Sequence, residues 1–374
     1  EIAEKKGIQV ISGFNGSELI FENGKVMGAR TGAFGIDRHG RPMPNYLPPA
    51  DVRARITVLA EGTRGNLTKT LIKKLNLARN RNPQVYSLGL KEVWKIPEGA
   101  LEAGSVIHTF GYPFGFNQFG GGFLYGLSKN LAAVGLAVGL DYEDPTFDPH
   151  QAFQIYKKHP LISGILKKGK IVGYGAKTIP EGGFFAIPQF YHDNVMIVGD
   201  SAGFTAMPSL KGIHPAIQSG MLAAKTAFES IKKNDTSGGQ LALYEDLFRE
   251  SPLYQELYAV RNFRQSFKTN LFFGMLQFGP QVLTGGRGLS LSGRLKMKED
   301  CTHCRPIAEL KGKTFLERNK AESGFDNTLT FDKEAELFYS GTKHKEEQPS
   351  HILVPSAETC QGCIEKYNAP CQRF

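Results

Sequence analysis

The sequence predicts an α/β (α+β) architecture: a doubly wound domain interrupted by an inserted antiparallel sheet. Three observations carry that reading. The apolar run Ile56-Thr57-Val58-Leu59-Ala60 ends in Glu61-Gly62, and a second, Val195-Met196-Ile197-Val198, ends in Gly199-Asp200. Each is followed by a helical pattern, and two such strand–turn–helix units far apart in sequence suit one sheet that another domain divides. Between them, residues 86–94 and 121–140 read as strands.

In chain order, Ile8-Gln9-Val10-Ile11 reads as an opening strand. Gly24 turns the chain into a second strand over 25–31. After Glu61-Gly62, Thr63-Arg64-Gly65 lead into a helix over 66–75. The 121–140 run folds back near Ser128-Lys129-Asn130. From Ile213, the residues Ala216, Ile217, Gly220, Ala223, Ala224, Ala227 and Phe228 recur at helical spacing. That helix begins near Lys211-Gly212. No GxGxxG occurs, and the chain opens at Glu1 already running toward a strand. The expectation is a fragment whose first phosphate-binding βαβ unit lies upstream of residue 1.

Composition bounds the function. A chain of 374 residues holds two or three domains, and 41% hydrophobic with 22% charged residues is ordinary for globular protein. Forty-five basic against 36 acidic residues give a net +9, a mild excess that suits anionic lipid or an acidic protein partner. No basic stripe with interleaved aromatics and no DNA- or RNA-binding motif occurs, so nucleic acid is not the expected partner. No run of 18 apolar residues occurs, so no segment reads as a spanning helix.

The residues at the two strand ends point to a ligand. Asp200 can accept hydrogen bonds from a sugar-alcohol hydroxyl, and Gly199 and Gly203 allow close backbone approach. The free N–H groups of the following helix would face the same ligand with the positive end of the helix dipole. A reduced flavin, negative on its pyrimidine side, is stabilised by such an end. An ordinary buried strand–turn–helix is the alternative. His214 and Lys211 flank the helix start, and His214 reads as structural rather than as a catalytic acid. No catalytic triad, carboxylate pair or metal-binding HxxxH pattern stands out.

Two further segments carry chemistry. Phe119-Gly120-Gly121-Gly122-Phe123 would let a flat ring lie against bare backbone; the alternative is a glycine-rich turn or bulge. Residues 263–283 read FRQSFKTNLFFGMLQFGPQVL, with few acids and with Arg261, Arg264 and Lys268 nearby. Such a helix can lie at headgroup depth while its cations meet phosphates; a buried core helix is the alternative. Cys301 with Cys304 and Cys360 with Cys363 form two CxxC pairs, and Cys371 follows. Their long separation weakens a zinc site, and neither pair has the compact spacing of an iron–sulfur cluster.

Several blocks together resemble one family. TVLAEGTRGNLTKTL at 57–71, YSLGLKEVW at 86–94, FGGGFLYGL at 119–127 and YGAKTIPEGGFFAIP at 174–188 are followed by MPSLKGIHPAIQSGMLAA at 207–224 and ELYAVRNFR at 256–264. In these the chain is similar to the electron-transfer flavoprotein:ubiquinone oxidoreductases, or electron-transferring-flavoprotein dehydrogenases. VGLDYEDPTF at 138–147, EDCT at 299–302 and SGTKHKEEQPSHI at 340–352 fit as well.

That resemblance implies FAD at Glu61, Gly62, Gly199, Asp200, Lys211, Gly212 and Ile213. It implies ubiquinone at Gly120 and Gly121, with Gly182-Gly183 shaping the same cavity. Membrane contact falls on Phe272, Phe273, Leu276 and Phe278. The [4Fe–4S] ligands of the full-length protein would lie beyond Phe374, so Cys360, Cys363 and Cys371 are not carried over as ligands and no metal ligand is assigned. Cys301 sits in the family's EDCT context, whereas Cys304 departs from it.

The implied domains are an FAD-binding part at 1–80, an inserted quinone-binding sheet at 81–190 and a return segment at 191–232. A helical membrane-surface part follows at 233–295, then a truncated, partly ferredoxin-like iron–sulfur region at 296–374. Implied partners are electron-transfer flavoprotein, ubiquinone and the surface of a bacterial or mitochondrial inner membrane. Two other readings stay open: a related FAD-dependent reductase or hydroxylase acting on another apolar substrate, and a zinc-stabilised, cofactor-free binding protein.

Overall fold

The computed structural model describes residues 1–374 except 210, 291, 292, 323, 351, 353, 355 and 374. Thirteen strands lie among the described residues: β1 (Gly16–Glu22), β2 (Lys25–Thr31), β3 (Phe34–Ile36), β4 (Pro42–Leu47), β5 (Asp51–Arg53), β6 (Thr57–Leu59), β7 (Tyr86–Lys95), β8 (Val106–Phe110), β9 (Gly120–Ser128), β10 (Leu131–Gly139), β11 (Lys170–Pro180), β12 (Tyr191–His192) and β13 (Val195–Ile197). They form four sheets, and two position the site. A small sheet has the order β12-β13-β6, and a five-stranded antiparallel sheet has the order β11-β7-β10-β9-β8.

In the small sheet β13 runs parallel to β6, with Val195 opposite Thr57 and Ile197 opposite Leu59. The two expected strand ends therefore lie side by side. The helix expected after Glu61-Gly62 spans Asn66–Lys74, and the one expected from Lys211-Gly212 spans Ile213–Lys232. The expected opening strand at 8–11 does not form: Ile8, Val10 and Ile11 are exposed, and no pairing to them occurs among the described residues. Apolar character alone does not make a strand where the backbone has no ladder to join.

Alternation divides the large sheet into two faces. Leu90, Trp94, Leu124, Leu136 and Val138 point into a core with Phe153 and Tyr156 of the Pro149–Lys157 helix. That helix starts where Asp148 accepts a hydrogen bond from Gln151 N at 3.0 Å, with Pro149 in its first turn. The Lys333–Ser340 helix packs on β11 and sets Tyr339 beside that core, which Phe331, just before the helix, enters. The opposite face, with Gly89, Lys91, Gly121, Phe123 and Tyr125, is left without a helix and turns toward the small sheet.

Two sequence expectations differ from the packing. Residues 243–257 were expected with the membrane-surface part, but Tyr244, Phe248, Leu253 and Leu257 join the core around β6 and β13. Aromatic edges decide it, because Phe190 meets Tyr244 at 4.7 Å and Phe248 at 5.5 Å between centroids. The expected ferredoxin-like region at 296–374 contains short helices and turns and no strand among the described residues. Its apolar side chains reach back singly, Phe315 and Phe331 entering the large sheet's core.

Buried charges clamp the units together. Arg264, 1% exposed, donates to Glu181 at 2.9 Å and Asp141 at 2.7 Å. Lys157 donates to Glu92 at 2.5 Å, and Trp94 Nε1 donates to the same carboxylate at 2.5 Å. Glu336 accepts from Gln154 at 2.6 Å and lies 3.2 Å from His150 Nε2. Arg264→Met leaves two buried carboxylates without their cation, a loss expected to cost about 3–5 kcal/mol. Urea unfolding of the variant checks this, and a midpoint equal to wild type contradicts the clamp.

Candidate functional site

The parallel pairing makes a cavity at the carboxyl ends of β6 and β13. It holds about 460 Å³ and is lined by Gly62, Gly199, Asp200, Thr205, Gly212 and Ile213 among others. Ile179 of β11 closes the far side, so both sheets contribute. Gly62 (φ +74), Gly199 (φ +57) and Gly203 (φ +81) adopt the left-handed conformation that glycine reaches without strain. Val198 N donates to Leu59 O at 3.0 Å, and Ser201 Oγ donates to Gly62 O at 3.1 Å, which ties the two turns together.

Asp200 is the charged group of this cavity. Thr63 Oγ1 donates to one carboxylate oxygen at 3.4 Å and Thr205 Oγ1 to the other at 3.3 Å. Burial pushes its carboxyl above the ordinary range, and the Thr205 and Thr63 hydroxyls pull it back. A side chain at Gly212 would sit 3.1 Å from an Asp200 oxygen, so glycine keeps this approach open. Gly212 caps the 213–232 helix without any side-chain bond. The first-turn N–H groups of that helix are available to an acceptor in the cavity. An anionic or polyhydroxylated ligand fits this set.

Two of the expected residues act differently. Glu61 turns away from the cavity and caps its own helix, accepting from Leu67 N at 3.1 Å, Thr68 N at 2.7 Å and Thr68 Oγ1 at 2.7 Å. Lys211 spends its N–H on Ala206 O at 3.2 Å, and its ammonium lies 5.7 Å from the Tyr125 ring centroid. His214 pairs with Glu256 at 2.8 Å, in keeping with a structural role.

A second cavity lies on the helix-free face of the large sheet. Its lining includes His108, Phe110, Gly120, Gly121, Glu181 and Phe263, and it holds about 50 Å³. That is room for a water or two, not for a ring. The glycine run is a strand, not a turn: Gly121 pairs with Ala137 and with Phe110. A side chain at Gly121 would collide with the Thr109 carbonyl oxygen, and one at Gly120 with the Phe114 ring. Gly182 and Gly183 do not line this cavity. Gly182 instead donates to Gln84 Oε1 at 2.5 Å and accepts from Gln265 Nε2 at 2.7 Å.

Residues 205–208 and 212–213 serve both cavities, with Thr205, Gly212 and Ile213 in the first and Met207 and Pro208 in the second. Phe263 links the second cavity to the Leu271–Leu283 helix, its ring 5.4 Å from that of Phe278. On that helix Phe272 (60%), Phe273 (53%) and Leu276 (56%) are exposed, and Phe278 is partly so. Met275, Val282 and Leu283 extend this apolar surface. So does exposed Phe116, whose carbonyl accepts from Leu271 N at 2.8 Å. Met275, Val282 and Leu283 lie within the 263–283 segment expected at the membrane, whereas sequence reading missed Phe116 because the β8–β9 loop and the helix meet only in the fold. Of the three expected cations, only Lys268 is exposed. Arg264 is clamped inside, and Arg261 donates to Tyr258 O at 2.8 Å and to Gly285 O. No helix among the described residues is long and apolar enough to cross a membrane.

The five cysteines are free thiols, and no group of three or more His, Cys, Asp or Glu among the described residues is placed for a metal ion.

Residues 86–179 match the family model described as ETF-QO, ubiquinone-binding, and residues 327–374 match electron transfer flavoprotein-ubiquinone oxidoreductase, 4Fe-4S. The mitochondrial electron transfer flavoprotein-ubiquinone oxidoreductase of Arabidopsis thaliana is 37% identical over 381 residues, covering 100% of this chain and 58% of the relative. The human protein of the same name is 36% identical over 393 residues, covering 100% of this chain and 61% of the relative. Over its whole length this chain is similar to the electron transfer flavoprotein-ubiquinone oxidoreductases. It spans about three fifths of the length of these relatives.

Among solved structures, a geranylgeranyl bacteriochlorophyll reductase-like protein from Thermoplasma acidophilum superposes with a TM-score of 0.52 at 19% identity, covering 96% of this chain and 68% of that one. The flavin-dependent halogenase CmlS gives 0.50 at 18% identity, covering 71% and 44%. At such identity these likenesses show the fold alone. The family model for ubiquinone binding spans β7 to β11, the sheet that carries the second cavity.

Gly121→Val in this chain is expected to destabilise the sheet by roughly 1–3 kcal/mol or more, because the added atoms meet backbone. A lower thermal midpoint without any ligand checks it; an unchanged midpoint means the β8–β9 pair yields easily.

Proposed function

We propose that this chain is the redox core of an electron-transferring-flavoprotein dehydrogenase, holding FAD beside ubiquinone at a membrane surface. The observation that carries the reading is that one short loop lines both cavities, so that ligands in them would be separated by little more than Met207 and Pro208. FAD, when bound, supplies the two-electron chemistry, accepting electrons from reduced electron-transfer flavoprotein and yielding them to the quinone.

The chain's own residues do the rest. Asp200 accepts hydrogen bonds from the hydroxyls of the cofactor's ribityl chain, and Thr63 and Thr205 keep its carboxylate aimed. Gly62, Gly199 and Gly212 let backbone approach the ring system. The uncapped start of the 213–232 helix, including Ile213, stabilises negative charge on the reduced ring. Glu61 acts one step back, by fixing the helix that follows Gly62, and Lys211 acts by pinning the loop against Tyr125. Gly120 and Gly121 would offer backbone to the quinone head, for which the lining, exposed Phe110 included, has to give way.

Phe272, Phe273, Leu276 and Phe278 meet lipid, with Lys268 toward the headgroups. The relatives named mitochondrial support a mitochondrial location; the surface in this reading is the inner membrane, with that of a bacterium as the alternative. The match over 327–374 supports a [4Fe–4S] cluster in the same reading. The described cysteines form no ligand set, so no electron step is assigned through it.

Two experiments on the full-length protein test this. Asp200→Leu is expected to lower FAD content, read as flavin absorbance per protein; full occupancy contradicts the ribityl contact. Each phenylalanine buried in lipid contributes roughly 1.5–3 kcal/mol. Phe272→Asp with Phe273→Asp should therefore weaken liposome binding on the order of 100-fold or more. Flotation with anionic vesicles reads it, and a double variant that still floats moves the membrane contact elsewhere.

A further inference from the structure

We propose that His108 is a proton donor for quinone reduction and that Tyr125 is the residue that positions it; this rests on the quinone reading above. His108 lines the second cavity with Gly120 and Gly121. It stands on β8, the edge strand of the large sheet, opposite Phe123 of β9. On β8, residues 106, 108 and 110 are exposed while 107 and 109 are partly buried, so the His108 side chain shares the helix-free face with Phe110. One side of the imidazole thus meets solvent and the other the cavity.

Its geometry is fixed. His108 Nε2 and the Tyr125 hydroxyl share a hydrogen bond of 2.8 Å, and the two rings lie 5.7 Å apart. Tyr125 is itself held, stacked on Phe123 at 4.7 Å with the Lys211 ammonium over its ring. Phe123 in turn lies over Gly135, where any side chain would collide with it. The charged groups facing this site are Lys211, from the loop shared with the flavin cavity, and Glu181. Glu181 is neutralised by Arg264 at 2.9 Å. Among the described residues no other histidine lines either cavity.

The chemistry needs such a group. Reducing a quinone to a quinol adds two electrons and two protons to its two carbonyl oxygens. A bound reduced flavin would supply the electron pair and one of the two protons, which the far oxygen would take. The imidazolium of His108 gives the other proton to the near oxygen and becomes neutral imidazole. Water at the exposed edge of β8 then returns a proton to it. Imidazole suits giving and regaining a proton near neutral pH, and general acid catalysis typically contributes about 10²–10⁴-fold.

The test uses the full-length, flavin-loaded protein, reduced and then mixed with either a short-tailed soluble ubiquinone or ferricyanide, which takes electrons without protons. In His108→Gln, flavin reoxidation by the ubiquinone should slow about 100-fold and lose its pH dependence. Reoxidation by ferricyanide and equilibrium binding of the same ubiquinone should stay near wild type. Tyr125→Phe should slow the ubiquinone reaction less and keep a pH profile, displaced from that of wild type. His108→Ala should regain rate when free imidazole is added. A His108→Gln protein that reacts with the ubiquinone at the wild-type rate overturns the proposal, as does one that loses both acceptors equally. If wild type reacts with ferricyanide but never with ubiquinone, the quinone reading itself fails.

Discussion

Three residues of β6 lie parallel to three of β13, and the rest of the molecule is arranged by that short contact. Parallel neighbours cannot be joined by a hairpin, so a crossover must intervene. Here the crossover contains a whole antiparallel domain, β7 to β11, which leaves from one strand end and returns beside the other. The insertion is thereby anchored at the carboxyl edge of the small sheet, where strand-end loops gather ligands. Ile179 of β11 reaches the cavity for this reason, although more than a hundred residues separate it from Gly62 in the chain. The pairing itself is small, and aromatic packing of Phe190 on Tyr244 and Phe248 stiffens it from behind.

The buried charges then fix how the inserted sheet meets its neighbours. Burying an ion pair gains little net stability, since desolvation offsets most of the attraction, but it penalises any arrangement that separates the partners. Arg264 must stay between Glu181 and Asp141, which holds the short 263–266 helix against the end of β11. The cluster of Glu92, Lys157, Glu336 and His150 does the same for the 333–340 helix. Burial and the cost of charging in a dry site push His150 down to about 4, so the imidazole is neutral and the cluster carries fewer unpaired charges than its composition suggests.

Much of this was legible because the informative segments are local. Strand-to-glycine turns at 62 and 199, the helix starting at 213 and the hairpin at 128–130 each declare themselves within about a dozen residues. Side-chain assignments within those segments were less legible. Glu61 looks like a ligand residue by position, but its reach back to Leu67 N and Thr68 N depends on the bend at Thr63-Arg64-Gly65. Arg261 and Arg264 look like headgroup cations beside an apolar helix, and only the fold brings Glu181 and Asp141 to one of them. His108 was invisible because its importance comes from Tyr125 and Gly121, which are its neighbours across a ladder and not along the chain.

The glycines of β9 show how one residue type serves packing and chemistry at once. Gly120 and Gly122 clear space on the crowded side for the Phe114 and Tyr156 rings, and Gly121 lets β8 approach on the other. A sheet so closely packed cannot also offer a large preformed pocket, and the 50 Å³ beside Gly121 reflects that. What it can offer is unscreened backbone and a rigid edge strand. With two helices occupying one face, His108, Tyr125 and the Gly121 backbone meet the other, and that face is the one turned to Met207 and Pro208. The positions of His108 and Tyr125 therefore follow from strand register: a shift of one residue would send both into the core and bring Ile107 and Leu124 to the cavity.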